Sequence, residues 1–174
     1  MKVLIYEPHV EGHYFMFLKF LVPAIAALGV RPILLISQDS PTSEEFKEFL
    51  EPIGDLCQII PCLEAIRPRS LVSLRDHLPA FWKSFRKYRP DHVYVPSADL
   101  ILPWLGIFAA ARLLKIPRGT EIECTVINSR VFYSAQGTGA REVVRNRIFR
   151  MGVAVAPAAI RVSVIDAVAL GPAA

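Results

Sequence analysis

Apolar residues in this chain fall into short runs separated by polar loops, and the spacing inside the runs switches between the continuous pattern of buried strands and the three-and-four pattern of helices. Residues 3–6 form a continuous apolar run, as in a parallel strand covered on both faces, and Glu7-Pro8 closes it. A polar loop from His9 to His13 follows. Phe15, Leu18, Val22 and Ile25 then recur at helical spacing and predict one core-facing stripe. Pro23 predicts a kink or irregularity in that helix, and Gly29 its left-handed stop. Residues 33–36 predict a second strand. Ser43 reads as a cap, with Glu44 and Glu45 in the first turn and Phe46, Phe49 and Leu50 as the apolar stripe. Residues 58–60 are a weaker strand.

Residues 69–88 predict a helix with Leu71, Leu74, Leu78, Phe81, Trp82 and Phe85 on one side, and Pro79 leaves open one helix or two. Residues 89–96 read as turn, then strand. A helix follows from about 100 to 114, with Pro103 in its first turn. After the turn at 116–119, residues 121–127 predict a strand. Residues 141–155 predict a helix with Val144, Ile148, Met151 and Val155 in register, and 160–165 a last strand. About six strands alternate with helices, which predicts an α/β fold. Its sheet is doubly wound and mostly parallel, Rossmann-like, with helices on both faces in three αβα layers. Residues 1–166 read as one domain, and 167–174, rich in small residues, as a tail or truncated linker.

Composition supports a packed core. Hydrophobic residues make up 53% and charged residues 21%, which excludes disorder. A mean hydropathy of +0.37 raises the question of membrane spans. Residues 14–36 carry Lys19, Pro23 and Arg31, and the apolar run 100–111 ends at Arg112, short of the roughly 20 residues a span needs. The N-terminus shows no signal-peptide pattern, so a cytoplasmic protein is expected. Cys57, Cys62 and Cys124 lack CxxC pairing and read as buried free thiols in a reducing compartment, with no metal site. The net charge of +4 is uneven. Residues 67–89 hold seven Lys/Arg against Asp76, and Arg141, Arg145, Arg147 and Arg150 face only Glu142. Such patches suit phosphate or anionic lipid, or are solvated helix faces. The aromatics among these basic residues, Phe81, Trp82 and Phe85, are better spent on the core, so nucleic-acid binding is not expected.

In an open parallel sheet, ligands bind beyond the carboxyl ends of the strands. Three loops there hold candidate chemistry. Glu11-Gly12-His13 precedes a helix: Gly12 permits close backbone approach, the helix start favours phosphate, and His13 is a candidate general base. In Ser97-Ala98-Asp99, either polar residue would cap the next helix, and Asp99 also suits a sugar hydroxyl. In Asn128-Ser129-Arg130, with Tyr133 close behind, Arg130 offers a fork for carboxylate or phosphate and Asn128 suits carbohydrate hydroxyls. Glu121 and Glu123 share one strand face, either as a carboxylate pair or as a wet edge. No HExxH, GxSxG or Walker A sequence is present.

Residues 1–8 followed by Glu11-Gly12-His13 resemble the opening of GT-B-fold glycosyltransferases of the family-4-like group, where a first strand leads into a glycine-containing cleft loop. Arg89-Pro90-Asp91-His92-Val93-Tyr94-Val95-Pro96 is similar to that family's strand ending at the cleft, and residues 116–121 to the turn into its next strand. The resemblance implies an N-terminal, acceptor-binding Rossmann-like domain that moves a sugar from a nucleotide-sugar donor to a glycan or lipid-linked acceptor. No cofactor or metal is implied. It places Glu11, Gly12 and His13 near the donor diphosphate and Ser97 and Asp99 in the loop after the central strand. His13 and Asp99 are the expected catalytic pair, with Glu11, Gly12, Ser97, Asn128 and Arg130 binding substrate. In that family a second Rossmann domain holds the nucleotide-sugar, so a further domain or partner subunit is expected, along with peripheral contact at an anionic inner membrane face. From the residues alone the alternative is a non-catalytic ligand-binding or protein-interaction module on a flavodoxin-like sheet.

Overall fold

A computed structural model describes residues 1–9, 12–63, 72–98, 101–113, 115–126 and 140–164. The chain divides into two compact units, Met1–Pro96 and Ser97–Ala174. The expected class is the one observed: an α/β, Rossmann-like arrangement of strands and helices in which every strand pairing within the units is parallel.

The first unit contains β1 (Val3–Glu7), α1 (Gly12–Ala27), β2 (Ile33–Ser37), β3 (Gln58–Leu63), α2 (Val72–Tyr88) and β4 (His92–Val95). Its strands lie in the order β3-β2-β1-β4. All five residues of β1 are buried, as its unbroken apolar run requires of a strand covered on both faces. Alternation then sorts its side chains. Val3 and Ile5 join Phe15, Leu18 and Val22 of α1 and Leu34 and Ile36 of β2 in one core. Tyr6 points the other way, with its ring edge-on to Phe81 of α2 at 5.2 Å between centroids.

The expected α1 stripe is the buried one, and Pro23 lies within the helix without ending it. Gly29 stops it at φ +74°, its N–H donating to the Ala26 carbonyl at 2.9 Å. Ser43 caps as expected: its hydroxyl accepts the Phe46 N–H at 3.1 Å. The chain continues as a wide π turn (Phe46–Leu50) and a tighter turn (Glu51–Leu56), which bury Leu50 and Ile53 against α1 and β2. Pro79 does not split the basic segment, and α2 is a single helix. Phe81 and Phe85, with His77 and Ser84, are buried among its described side chains, while Lys83, Arg86 and Lys87 are exposed, a solvated face.

One expectation fails here. Cys57 is buried, but Cys62 is exposed, because β3 is a sheet edge whose outer residues, Pro61 among them, face water.

The second unit holds α3 (Leu102–Ala110), β5 (Glu121–Val126), α4 (Ala140–Ala154) and β6 (Ile160–Val164). α3 stops short of the expected 114, since Arg112 turns left-handed at φ +59°. The register expected for α4 is corrected. Met151 and Val155 are exposed, whereas Phe149 and Gly152 are buried. The reason is a close helix crossing: a Cβ built on Gly106 of α3 would fall on the Gly152 carbonyl oxygen and 2.8 Å from its carbonyl carbon. Bare backbone on both helices lets them meet there, and that contact sets which side of α4 faces inward. Glu121 and Glu123 form the wet face of β5 rather than a reactive pair. Arg161 of β6 donates to Glu121 at 2.9 Å, and the Ser163 hydroxyl donates to Glu123 at 3.3 Å. Among the described residues no helix is long and apolar enough to cross a membrane.

Candidate functional site

Within the first unit the chain runs outward from β1 to β2 and β3, then returns to lay β4 against the opposite side of β1. The strand order therefore reverses at β1, and in an open parallel sheet such a switch point opens a crevice beyond the strand tips. Glu7 occupies the tip of β1. Strand alternation puts it on the α1 side, directly beyond Ile5, and it is fully buried.

An ionised carboxylate so placed is costly unless it is paired. One partner is His9, two residues on. The backbone N–H of His9 donates to Glu7 Oε1 at 3.0 Å, and its ring Nδ1 lies 2.6 Å from the same oxygen. A carboxylate only accepts, so an ionised Glu7 takes this bond from Nδ1–H. The imidazole also stacks on Tyr14 of α1, with centroids 4.2 Å apart and planes inclined by 21°. Glu7 Oε2 is buried with no hydrogen-bond partner among the described residues. At the neighbouring tip of β2, Ser37 is buried and its hydroxyl accepts the Asp39 N–H at 3.2 Å. On the opposite face of β1, Tyr6 donates to the His77 carbonyl at 3.1 Å, and its oxygen lies 3.0 Å from His77 Nδ1. Burial raises the Tyr6 phenol well above its ordinary range, so this residue stays neutral and holds α2 to the sheet.

The residues expected from the sequence are placed unevenly. Gly12 opens α1 just after the β1 tip, and His13 follows it. The His13 side chain, Glu11, Asp99, Asn128, Arg130 and Tyr133 lie outside the described residues. Ser97 is buried in the second unit, and its hydroxyl has no partner among the described residues. It does not cap α3. The first turn of that helix is closed by the Ala98 carbonyl, which accepts the N–H groups of Ile101 at 3.1 Å and Leu102 at 2.8 Å. The Glu7–His9–Tyr14 cluster was not singled out from the sequence. The available signal was an acidic residue where an apolar strand ends, with a histidine two positions on. Among the described residues, no group of three or more His, Cys, Asp or Glu side chains is arranged to hold a metal ion.

The thiols are not poised for chemistry. Burial pushes Cys124 up to about 12 and raises Cys57 against the opposing pull of Arg31. Cys62 is exposed, yet partial desolvation beside its neighbours still raises its thiol, which the nearby Lys87 and Lys83 offset only in part. At pH 8 the folded protein should take up one equivalent of iodoacetamide, slowly and at Cys62, with Cys57 and Cys124 reacting only in denaturant. Peptide mass mapping of the label checks this, and native labelling of Cys124 would contradict it.

No protein-family profile matches the sequence, and no curated protein matches it. Solved structures do resemble the fold. A crystal structure of the glycotransferase of kitacinnamycin superposes with a TM-score of 0.51 over 95% of this chain and 42% of its own, at 14% identity. The Streptomyces sp. SF2575 glycosyltransferase SsfS6 gives 0.47 over 88% of this chain and 43% of its own, at 16% identity. An N,N'-diacetylchitobiose deacetylase from Pyrococcus horikoshii gives 0.44 over 87% of this chain and 70% of its own, at 18% identity. This chain spans less than half the length of the two glycosyltransferases. At these identities the likeness is one of fold.

Proposed function

We propose that this chain is the acceptor-binding, N-terminal part of a GT-B glycosyltransferase of the family-4-like type, transferring a sugar from a nucleotide-sugar to a glycan or lipid-linked acceptor. The observation that carries the reading is the buried carboxylate Glu7 at the switch point of a Rossmann-like sheet, in a fold shared with the kitacinnamycin glycotransferase. A buried carboxyl group at the end of a core strand, with one oxygen unpartnered among the described residues, suits polar chemistry. In this reading Gly12 brings the start of α1 close to the donor diphosphate, Glu11 and Ser97 contact substrate, and Asn128 and Arg130 bind hydroxyls and phosphate. His13 and Asp99 stand at the reacting groups. A second Rossmann-like domain or a partner subunit supplies most donor contacts. Residues 1–166 act as one domain followed by a tail, in the cytoplasm, with the basic faces of α2 and α4 against an anionic membrane surface.

Titration calorimetry with a nucleoside diphosphate and its sugar conjugate tests this. Binding should weaken about tenfold or more in Gly12→Val, a loss of about 1.4 kcal/mol, because a branched side chain would occupy the helix start. Binding that is unchanged in the variant would favour a non-catalytic ligand-binding module.

A further inference from the structure

We propose that the outer face of α1 is a self-association surface, on which a second copy of this chain packs antiparallel about a twofold axis, with Phe20 of each copy seated over Ala24 of the other. The observation behind it is a helix that is apolar on both sides. Phe15, Leu18 and Val22 face the core of the first unit. On the opposite side Met16, Phe20, Ala24 and Ala27 recur at spacings of four, four and three, so they form one line along the helix, and all four are exposed. Phe20 is 70% exposed and Met16 48%. Phe17, 36% exposed and stacked on Tyr94 of β4, and Leu28, 75% exposed at the helix end, widen the line on one side. Apart from His13, Lys19 is the only residue of α1 with a charged side chain. A helix that meets only water carries a polar outer face, whereas α1 has the composition of a covered helix.

Area, shape and charge select a second copy as the occupant. The exposed parts of Met16, Phe17, Phe20 and Leu28 amount to roughly 450 Å² of apolar surface on one face. Two such faces, with the alanines and the Lys19 stems between them, withdraw more than roughly 1,000 Å² from water, the size at which a specific interface holds. Large side chains stand on the N-terminal half of the line and alanines on the C-terminal half. A parallel partner would set Phe20 on Phe20 and leave Ala24 facing Ala24 across a gap. An antiparallel partner fills each alanine hollow with a phenylalanine and brings Met16 over the Ala27–Leu28 end. Such a twofold pairing is closed, so association stops at two copies. The turns packed beside α1 expose Glu44, Glu48 and Glu51, which an anionic membrane would repel, and apart from Lys19 the face lacks the basic border of a helix lying in a membrane interface.

Sedimentation equilibrium of the full chain tests this. At micromolar concentrations the parent should sediment at twice its 19.4 kDa mass. Phe20→Glu should weaken dimerisation at least about thirtyfold, as loss of a central aromatic anchor does, with the urea midpoint unchanged because the position is exposed. Ala24→Phe separates a seated pair from a merely sticky face: it adds apolar surface but fills the hollow, so dimerisation should weaken about tenfold or more. Vesicles of phosphatidylcholine and phosphatidylglycerol should bind the parent no better than Phe20→Glu. A parent that stays monomeric overturns the proposal. So does a folded Phe20→Glu that dimerises like the parent, an Ala24→Phe that associates as tightly or more tightly, or vesicle binding that is lost in Phe20→Glu, which would assign the face to lipid. If Phe20→Glu does not fold, Ala24→Phe decides. Nucleotide binding enters none of these measurements, so their outcome is independent of the glycosyltransferase reading.

Discussion

Gly106→Val should destabilise the second unit by about 3 kcal/mol, at the upper end of what an overpacked site costs. The added side chain would meet the backbone carbonyl of Gly152, which cannot swing aside as a flexible side chain would. α3 and α4 would have to separate at the Gly106–Gly152 crossing. Even Gly106→Ala should be harmful, since the first added atom already collides. Gly54→Ala provides the control: nothing lies within 4 Å of its added carbon, so stability should stay within about 0.5 kcal/mol of the parent. Urea unfolding of the three variants beside the parent decides it. A Gly106→Val protein as stable as Gly54→Ala would mean that the two helices do not cross as described.

Phe15→Ala should cost the first unit about 3–5 kcal/mol, as truncation of a fully buried aromatic does. Phe15 is fully buried near the start of α1, in the core that holds Ile36 of β2 and Ile5 of β1, two positions from the buried Glu7. The loss should therefore reach function. The first turn of α1 carries Gly12 and His13, and Tyr14 in the same turn holds the His9 ring. Nucleotide binding should weaken along with stability. Phe15→Leu, which refills most of the volume, should recover both. Full stability in Phe15→Ala would contradict the packing of α1 on the sheet.

Much of the architecture was legible in the sequence, for a local reason. A strand buried on both faces must be apolar at every position, as residues 3–6 and 33–36 are, and a helix lying on a sheet must repeat its apolar residues at three and four, as Phe15, Leu18 and Val22 do. The stop at Gly29 and the cap at Ser43 were legible in the same way, because each acts on groups within a few residues. Periodicity therefore determined the α/β class. Three further properties were decided only by packing across distant segments. Glu7 looks like the end of a strand until β2, β4 and α1 close around it and leave it needing a partner. α4 looks like a Met151–Val155 stripe until a bare Gly152 lets α3 approach. Cys62 looks like a core thiol until β3 proves to be the edge. Burial is a property of the assembled unit, and the low reactivity of the Cys57 and Cys124 thiols and the neutrality of the Tyr6 phenol follow from it.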